Sequence, residues 1–178
     1  MKTRFKIVGG IIALFFVGSW WMVTNSPDAI NRRLAHAIQA SEDTQEIEAL
    51  LARGANPNFR YTEDEPGLKE RINALLVGTS PPEREGIPLL FLACYVRNED
   101  TVRVLLKNKA NPNITFEQGR TPLMVAVENG SPRLIRLLLD HGGDPNHRTD
   151  AGATALTLAR FIKRPNLITL LKQSGARE

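Results

Sequence analysis

The chain opens with an apolar run, Ile7 to Val23, of 17 residues without a charge. As a helix it would rise about 25 Å, the short end of a membrane crossing. Farther on the apolar positions are shorter and periodic. Between 121 and 142, Leu123, Ala126 and Val127 mark a short helix, and Leu134, Ile135, Leu137 and Leu138 a second with a wide apolar face. Thr121 before Pro122 predicts an N-cap hydroxyl ahead of a proline at the first helical position. Gly130-Ser131-Pro132 ends the first helix and starts the second. Gly142 ends the second, at a position suited to a left-handed residue. Asp144-Pro145-Asn146 opens a turn. Ser26-Pro27-Asp28 predicts another helix start near the beginning of the chain.

This unit recurs. Shifting the chain by 33 aligns Gly86–Asn113 with Gly119–Asn146 without gaps, and eight of the 28 positions are identical. A second shift reaches Gly152, Thr154, Ala155, Leu156, Ala159, Leu167, Ile168, Leu170, Leu171 and Gly175, and residues 27–58 form an earlier copy ending Asn56-Pro57-Asn58. Four copies therefore occupy most of the chain. A single helix pair cannot bury its own apolar face, so the copies must stack.

Gly119-Arg-Thr-Pro-Leu-Met-Val-Ala126 and Leu137-Leu-Leu-Asp-His-Gly142-Gly-Asp-Pro-Asn146 resemble the two signatures of the ankyrin repeat family, over about residues 30–178. The resemblance implies an all-α solenoid of about four helix-turn-helix repeats, joined by hairpin-like loops and used to bind proteins. Two positions depart from the pattern. Pro88 replaces the capping Thr, and Lys109 replaces the Gly, where a left-handed Lys costs up to about 1 kcal/mol. The first copy lacks the Thr-Pro-Leu signature, as a terminal cap does.

The spacing breaks once. Asn58 and Asn113 are 55 apart rather than 33, so 22 residues are extra, within roughly 59–85. Inside, Leu68, Ile72, Leu75 and Leu76 predict a short amphipathic helix between Glu63-Asp64-Glu65 and Pro81-Pro82. Two readings stay open: a loop packing that helix on its neighbours, or a partner-specific arm on the loop side of the repeats.

Charge changes the picture mainly at the start. The net charge is +4, and Lys2, Arg4 and Lys6 supply three of it; the remainder carries 20 basic and 19 acidic residues, or +1. A nucleic-acid surface needs a clustered basic face, so no nucleic-acid partner is expected. The basic flank 1–6 instead orients segment 7–23 as an inner-membrane anchor with the rest in the periplasm, following a 24–31 linker and comprising a 32–178 repeat domain, expected to be monomeric. Trp20 and Trp21 fit the headgroup region. The alternative is a cleaved signal peptide ending at Val17-Gly18-Ser19, but no Ala-x-Ala is present and the apolar run continues.

Catalytic chemistry is not expected. His36, His141 and His147 are the only histidines, and no metalloprotease, nucleophile-elbow or phosphate-loop pattern occurs. His141 reads as a helix-end residue and His147 as a solvated turn residue. The single Cys94 aligns with Val127 and reads as a small buried side chain; it rules out an internal disulfide or multi-cysteine metal site. No cofactor or metal is expected.

The family resemblance places partner contacts on loop tips and exposed first-helix positions. Copy by copy these are Arg84, Glu85, Ile87, Tyr95 and Val96; then Glu117, Gln118, Arg120, Glu128 and Asn129; then Asp150, Ala151, Ala153, Phe161 and Ile162. Tyr95, Val96, Phe161 and Ile162 stand out as apolar, as interface anchors are. Two roles fit: an accessory of a periplasmic enzyme, since some similar bacterial ankyrin proteins are associated with catalase function, or an immunity protein against a secreted toxin.

Overall fold

The computed structural model describes residues 26–41, 43–62 and 85–177. The expected anchor at 7–23, the helix at Leu68–Leu76 and Arg84 lie outside them. Among the described residues eight helices form four antiparallel pairs: α1 (Pro27–Gln39) with α2 (Thr44–Ala52), α3 (Leu89–Tyr95) with α4 (Glu99–Lys107), α5 (Pro122–Glu128) with α6 (Pro132–Asp140), and α7 (Ala155–Phe161) with α8 (Pro165–Gln173). The pairs stack in chain order. First helices α1, α3, α5 and α7 touch in one row, and α2, α4 and α6 touch in a second. None of the described helices is long and apolar enough to cross a membrane.

The starts form where the capping chemistry predicts. N–H groups of Ala29, Met124, Leu134 and Thr157 donate to the side-chain oxygens of Ser26, Thr121, Ser131 and Thr154. Pro88 offers no such oxygen, and α3 begins without a side-chain cap, its Leu89 N–H donating to the Phe59 carbonyl (3.2 Å). Leu89, Leu90, Leu105, Leu123, Leu134, Ile135 and Leu138 are fully buried in one continuous core. Short first helices are almost wholly apolar because they have a neighbour on both sides. In α5, Pro122 to Val127 are all buried and only Glu128 is exposed.

The all-α solenoid expectation holds, and the hairpin-like loops between its helix pairs carry short strand pairings. Arg60–Tyr61 (β1) and Ile87–Pro88 (β2) form a two-residue antiparallel pair, with Tyr61 opposite Ile87. In the next copy Phe116 and Arg120 pair in the same way, and in the last the Thr149 N–H donates to the Ala153 carbonyl. The inter-repeat loops are thus hairpins, and this fixes the place of the insertion. Three residues, Glu117 to Gly119, separate one pair, whereas 62–86 separates the other; 25 − 3 is the 22-residue excess. The extra chain replaces a hairpin tip, and Phe59 to Tyr61 belong to the repeat rather than to the insertion.

The neck of that hairpin is held closely. The Arg60 guanidinium donates to Glu85 (2.9 Å), to the Gly86 carbonyl (3.3 Å) and to the Thr115 carbonyl of the next hairpin (2.9 Å). A Cβ on Gly86 would stand 3.0 Å from Arg60 backbone atoms, which explains a glycine there.

Candidate partner-binding surface

The last residue of the first helix in copies two to four forms a row across the stack: Tyr95, Glu128 and Phe161, each 33 residues from the next. Tyr95 is 70% exposed and Phe161 84%, the two large hydrophobic residues so exposed among the described residues. Phe161 is therefore not packed into the last layer. Glu128 lies between them and pairs with Arg120, which arrives from the hairpin and also sits 5.8 Å over the Phe91 ring. Both members remain partly exposed, so the pair adds at most about 1 kcal/mol. Its effect here is to neutralise the one carboxylate in the row.

Several expected contact residues have other work. Val96 and Ile162 are half-buried against the core rather than exposed. Each is the C-cap residue of its helix, and the chain turning back toward the second helix carries its side chain inward. Ile87 is half-buried too, held in the strand pair opposite Tyr61. Asn129 is half-buried; its Nδ2 donates to the Cys94 carbonyl (2.8 Å) and its own carbonyl accepts from Arg97 (3.3 Å), so it fastens the second copy to the third. Ala153 is half-buried, while Ala151 is exposed.

Glu117, Gln118 and Asp150 are exposed at the hairpin tips. The tips also hold one another, since the Asp150 N–H donates to the Gln118 carbonyl (2.9 Å). Glu85 is exposed but paired with Arg60. Of the sequence candidates, Tyr95, Glu128 and Phe161 share one row, and Glu117, Gln118 and Asp150 lie on neighbouring tips.

His147 corrects another expectation: it is half-buried, with Nε2 3.0 Å from the Gly119 carbonyl oxygen of the preceding hairpin. His141 Nδ1 lies 2.8 Å from the Leu137 carbonyl oxygen at the end of α6. Cys94 is completely buried, and burial pushes its thiol well above its ordinary value, so it stays protonated and unreactive. Among the described residues no group of three His, Cys, Asp or Glu could hold a metal ion. An open pocket of about 260 Å³ lies at the other end of α7 from Phe161, lined by Asn146, Arg148, Thr154 and Arg177.

A residue class missed in the sequence holds the stack together. Nδ2 of Asn58, Asn113 and Asn146 donates to the carbonyls of Lys109, Gly142 and Gly175, and each Oδ1 accepts an N–H two residues beyond, from Asn111, Asp144 and Arg177. One side chain thus spans from each repeat to the next, three times. The identity of Asn113 and Asn146 under the 33-residue shift was the available signal.

Four helix pairs stand in two rows, with hairpins along one edge and three asparagine staples joining one repeat to the next. A family model for ankyrin repeats (3 copies) matches residues 34–149 and 90–177. The chain belongs to the ankyrin repeat family. No curated protein matches it. Ankyrin repeats are protein–protein interaction modules, and the exposed row lies on the helices and turns of such a module.

Proposed function

We propose that the chain is a non-catalytic adaptor of the bacterial, membrane-anchored type, with its repeats in the periplasm, where they capture a protein, an accessory role toward a periplasmic enzyme being the preferred one. The observation that carries protein capture is the aromatic pair Tyr95 and Phe161, solvent-exposed on equivalent positions of a rigid stack. Folding leaves large apolar surface in water only at a cost, and exposed aromatics of this kind are typical interface anchors. The anchoring part rests on the 17-residue uncharged run behind a basic flank, with only a short connector before α1.

Crosslinking on isolated membranes, followed by identification of the captured protein, tests this reading. The expected result is one periplasmic protein, lost when Tyr95→Ala and Phe161→Ala are combined. Undiminished capture by a folded double variant overturns the aromatic row as the site. Exclusively cytoplasmic partners overturn the topology. An enzyme among the captured proteins supports the accessory role, and a toxin the immunity role.

A further inference from the structure

The near-neutral charge of the chain beyond its first six residues hides a polarised distribution. Between Ala151 and Arg177 there is no Asp or Glu, and Arg160, Lys163, Arg164, Lys172 and Arg177 are all basic. Residues 7–150 carry 15 basic and 18 acidic residues, so the positive charge is concentrated in the last repeat. Within it, Arg160 in the last turn of α7 and Lys163 and Arg164 in the turn leading to α8 flank Phe161 along the chain, all exposed. Arg164 lies back toward the third repeat, its Cζ 3.9 Å from where a Cβ of Gly130 would be. Lys163 and Arg97 occupy equivalent positions, two residues past Phe161 and Tyr95, and both are left-handed.

We propose that this turn edge takes an extended, acidic segment of a protein partner, with its carboxylates over Arg160, Lys163 and Arg164 and an apolar side chain on Phe161. The proposal rests on the protein-binding reading above and names the chemistry of the partner. Charge complementarity selects the acidic segment. The neutralised Arg120–Glu128 pair leaves no repelling carboxylate between Phe161 and Tyr95. The first helices pack in one row, so two interaxial steps of about 8–10 Å separate these aromatics, and about six extended residues reach from one to the other.

Other anionic partners fit less well. A phosphate backbone following the same edge would meet Glu99 and exposed Asp100, just past Arg97. A bilayer holding the segment before Ser26 would lie at the start of α1, in the first layer, while the basic turn follows the end of α7 in the last. These are diagonal corners of the stack.

The test uses the full chain and three displayed libraries of 12-residue peptides: acidic, neutral and basic, each containing aromatic residues. Acidic peptides with an aromatic residue are expected to be enriched, and their binding to weaken with salt. Lys163→Glu with Arg164→Glu should weaken the selected peptide about tenfold, as should Phe161→Ala. Arg103→Glu with Arg136→Glu, on the outer second-helix face, should leave it unchanged. Arg164 makes no side-chain cap on α8, so its reversal removes no capping bond, and an unchanged melting curve verifies folding.

Enrichment of neutral peptides, or indifference to the Lys163 and Arg164 reversal, overturns the proposal. So does tighter binding to phosphatidylglycerol vesicles or to a single-stranded oligonucleotide than to any selected peptide. If crosslinking still captures a periplasmic protein with the reversed variant, protein binding survives and this assignment alone fails.

Discussion

At the scale of single residues, two positions carry stress that the repeat pattern explains. Gly54, Lys109, Gly142 and Gly175 are equivalent, and all are left-handed; only Lys109, at φ 67°, has a side chain. Lys109→Gly should raise stability by about 0.5–1 kcal/mol, read as a higher urea midpoint with an unchanged slope. The Asn58 contact survives because it uses the Lys109 backbone carbonyl. Thr101 is the second. It is fully buried, stands where the next copies have Leu134 and Leu167, and its Oγ1 has no hydrogen-bond partner. Thr101→Val keeps the shape and removes the unsatisfied hydroxyl, so a gain of about 1 kcal/mol in chemical denaturation is expected. A loss would mean that the hydroxyl is satisfied in solution.

At the scale of elements, the question is what couples one helix pair to the next. Apolar contact supplies the bulk of it, and the asparagine staples set the register. Asn113→Ala removes bonds of 2.9 and 2.7 Å between the second and third repeats' loops. Being exposed, they contribute about 1–2 kcal/mol together. Asn146→Ala acts on the last repeat alone, through Gly175 and Arg177. In a one-dimensional stack an internal break divides the array, whereas a terminal one frays its end. Hydrogen exchange should therefore speed up through α7 and α8 for Asn146→Ala, and on both sides of the break for Asn113→Ala. Equal and uniform acceleration in both variants would contradict the staple role.

At the scale of the whole molecule, the insertion is chain added between the two paired strands of one hairpin in an otherwise regular stack. Replacing 62–86 with the three-residue tip Glu-Gln-Gly should leave the four pairs intact. Chain-closure entropy alone predicts a gain of about 2 kcal/mol. Thermal unfolding of the replaced chain checks this, and a loss of stability would show that the segment packs on the solenoid. The same scale brings out the charge asymmetry, because a total of +4 averages a basic first six residues, a weakly acidic middle and a basic last repeat. Where a charge sits on the stack decides its use more than the sum does.

The sequence by itself determined the repeat, its four copies, most helix starts, the buried Cys94 and the left-handed Lys109. These are local matters: a cap oxygen acts within three residues, and an apolar face follows the helical period. It also determined that 22 residues were extra, though not that they sit between Tyr61 and Ile87, because a pairing across that gap has no local signature. Only the tertiary structure decided which apolar helix ends face water. Tyr95 and Phe161 do, while their sequence neighbours Val96 and Ile162 turn into the core, and periodicity in a seven-residue helix is too short to separate them. Asn129 and His147 likewise found partners in other repeats, 35 and 28 residues away. Such bonds exist only once the copies are stacked, since it is stacking that brings residues about one period apart within hydrogen-bonding distance.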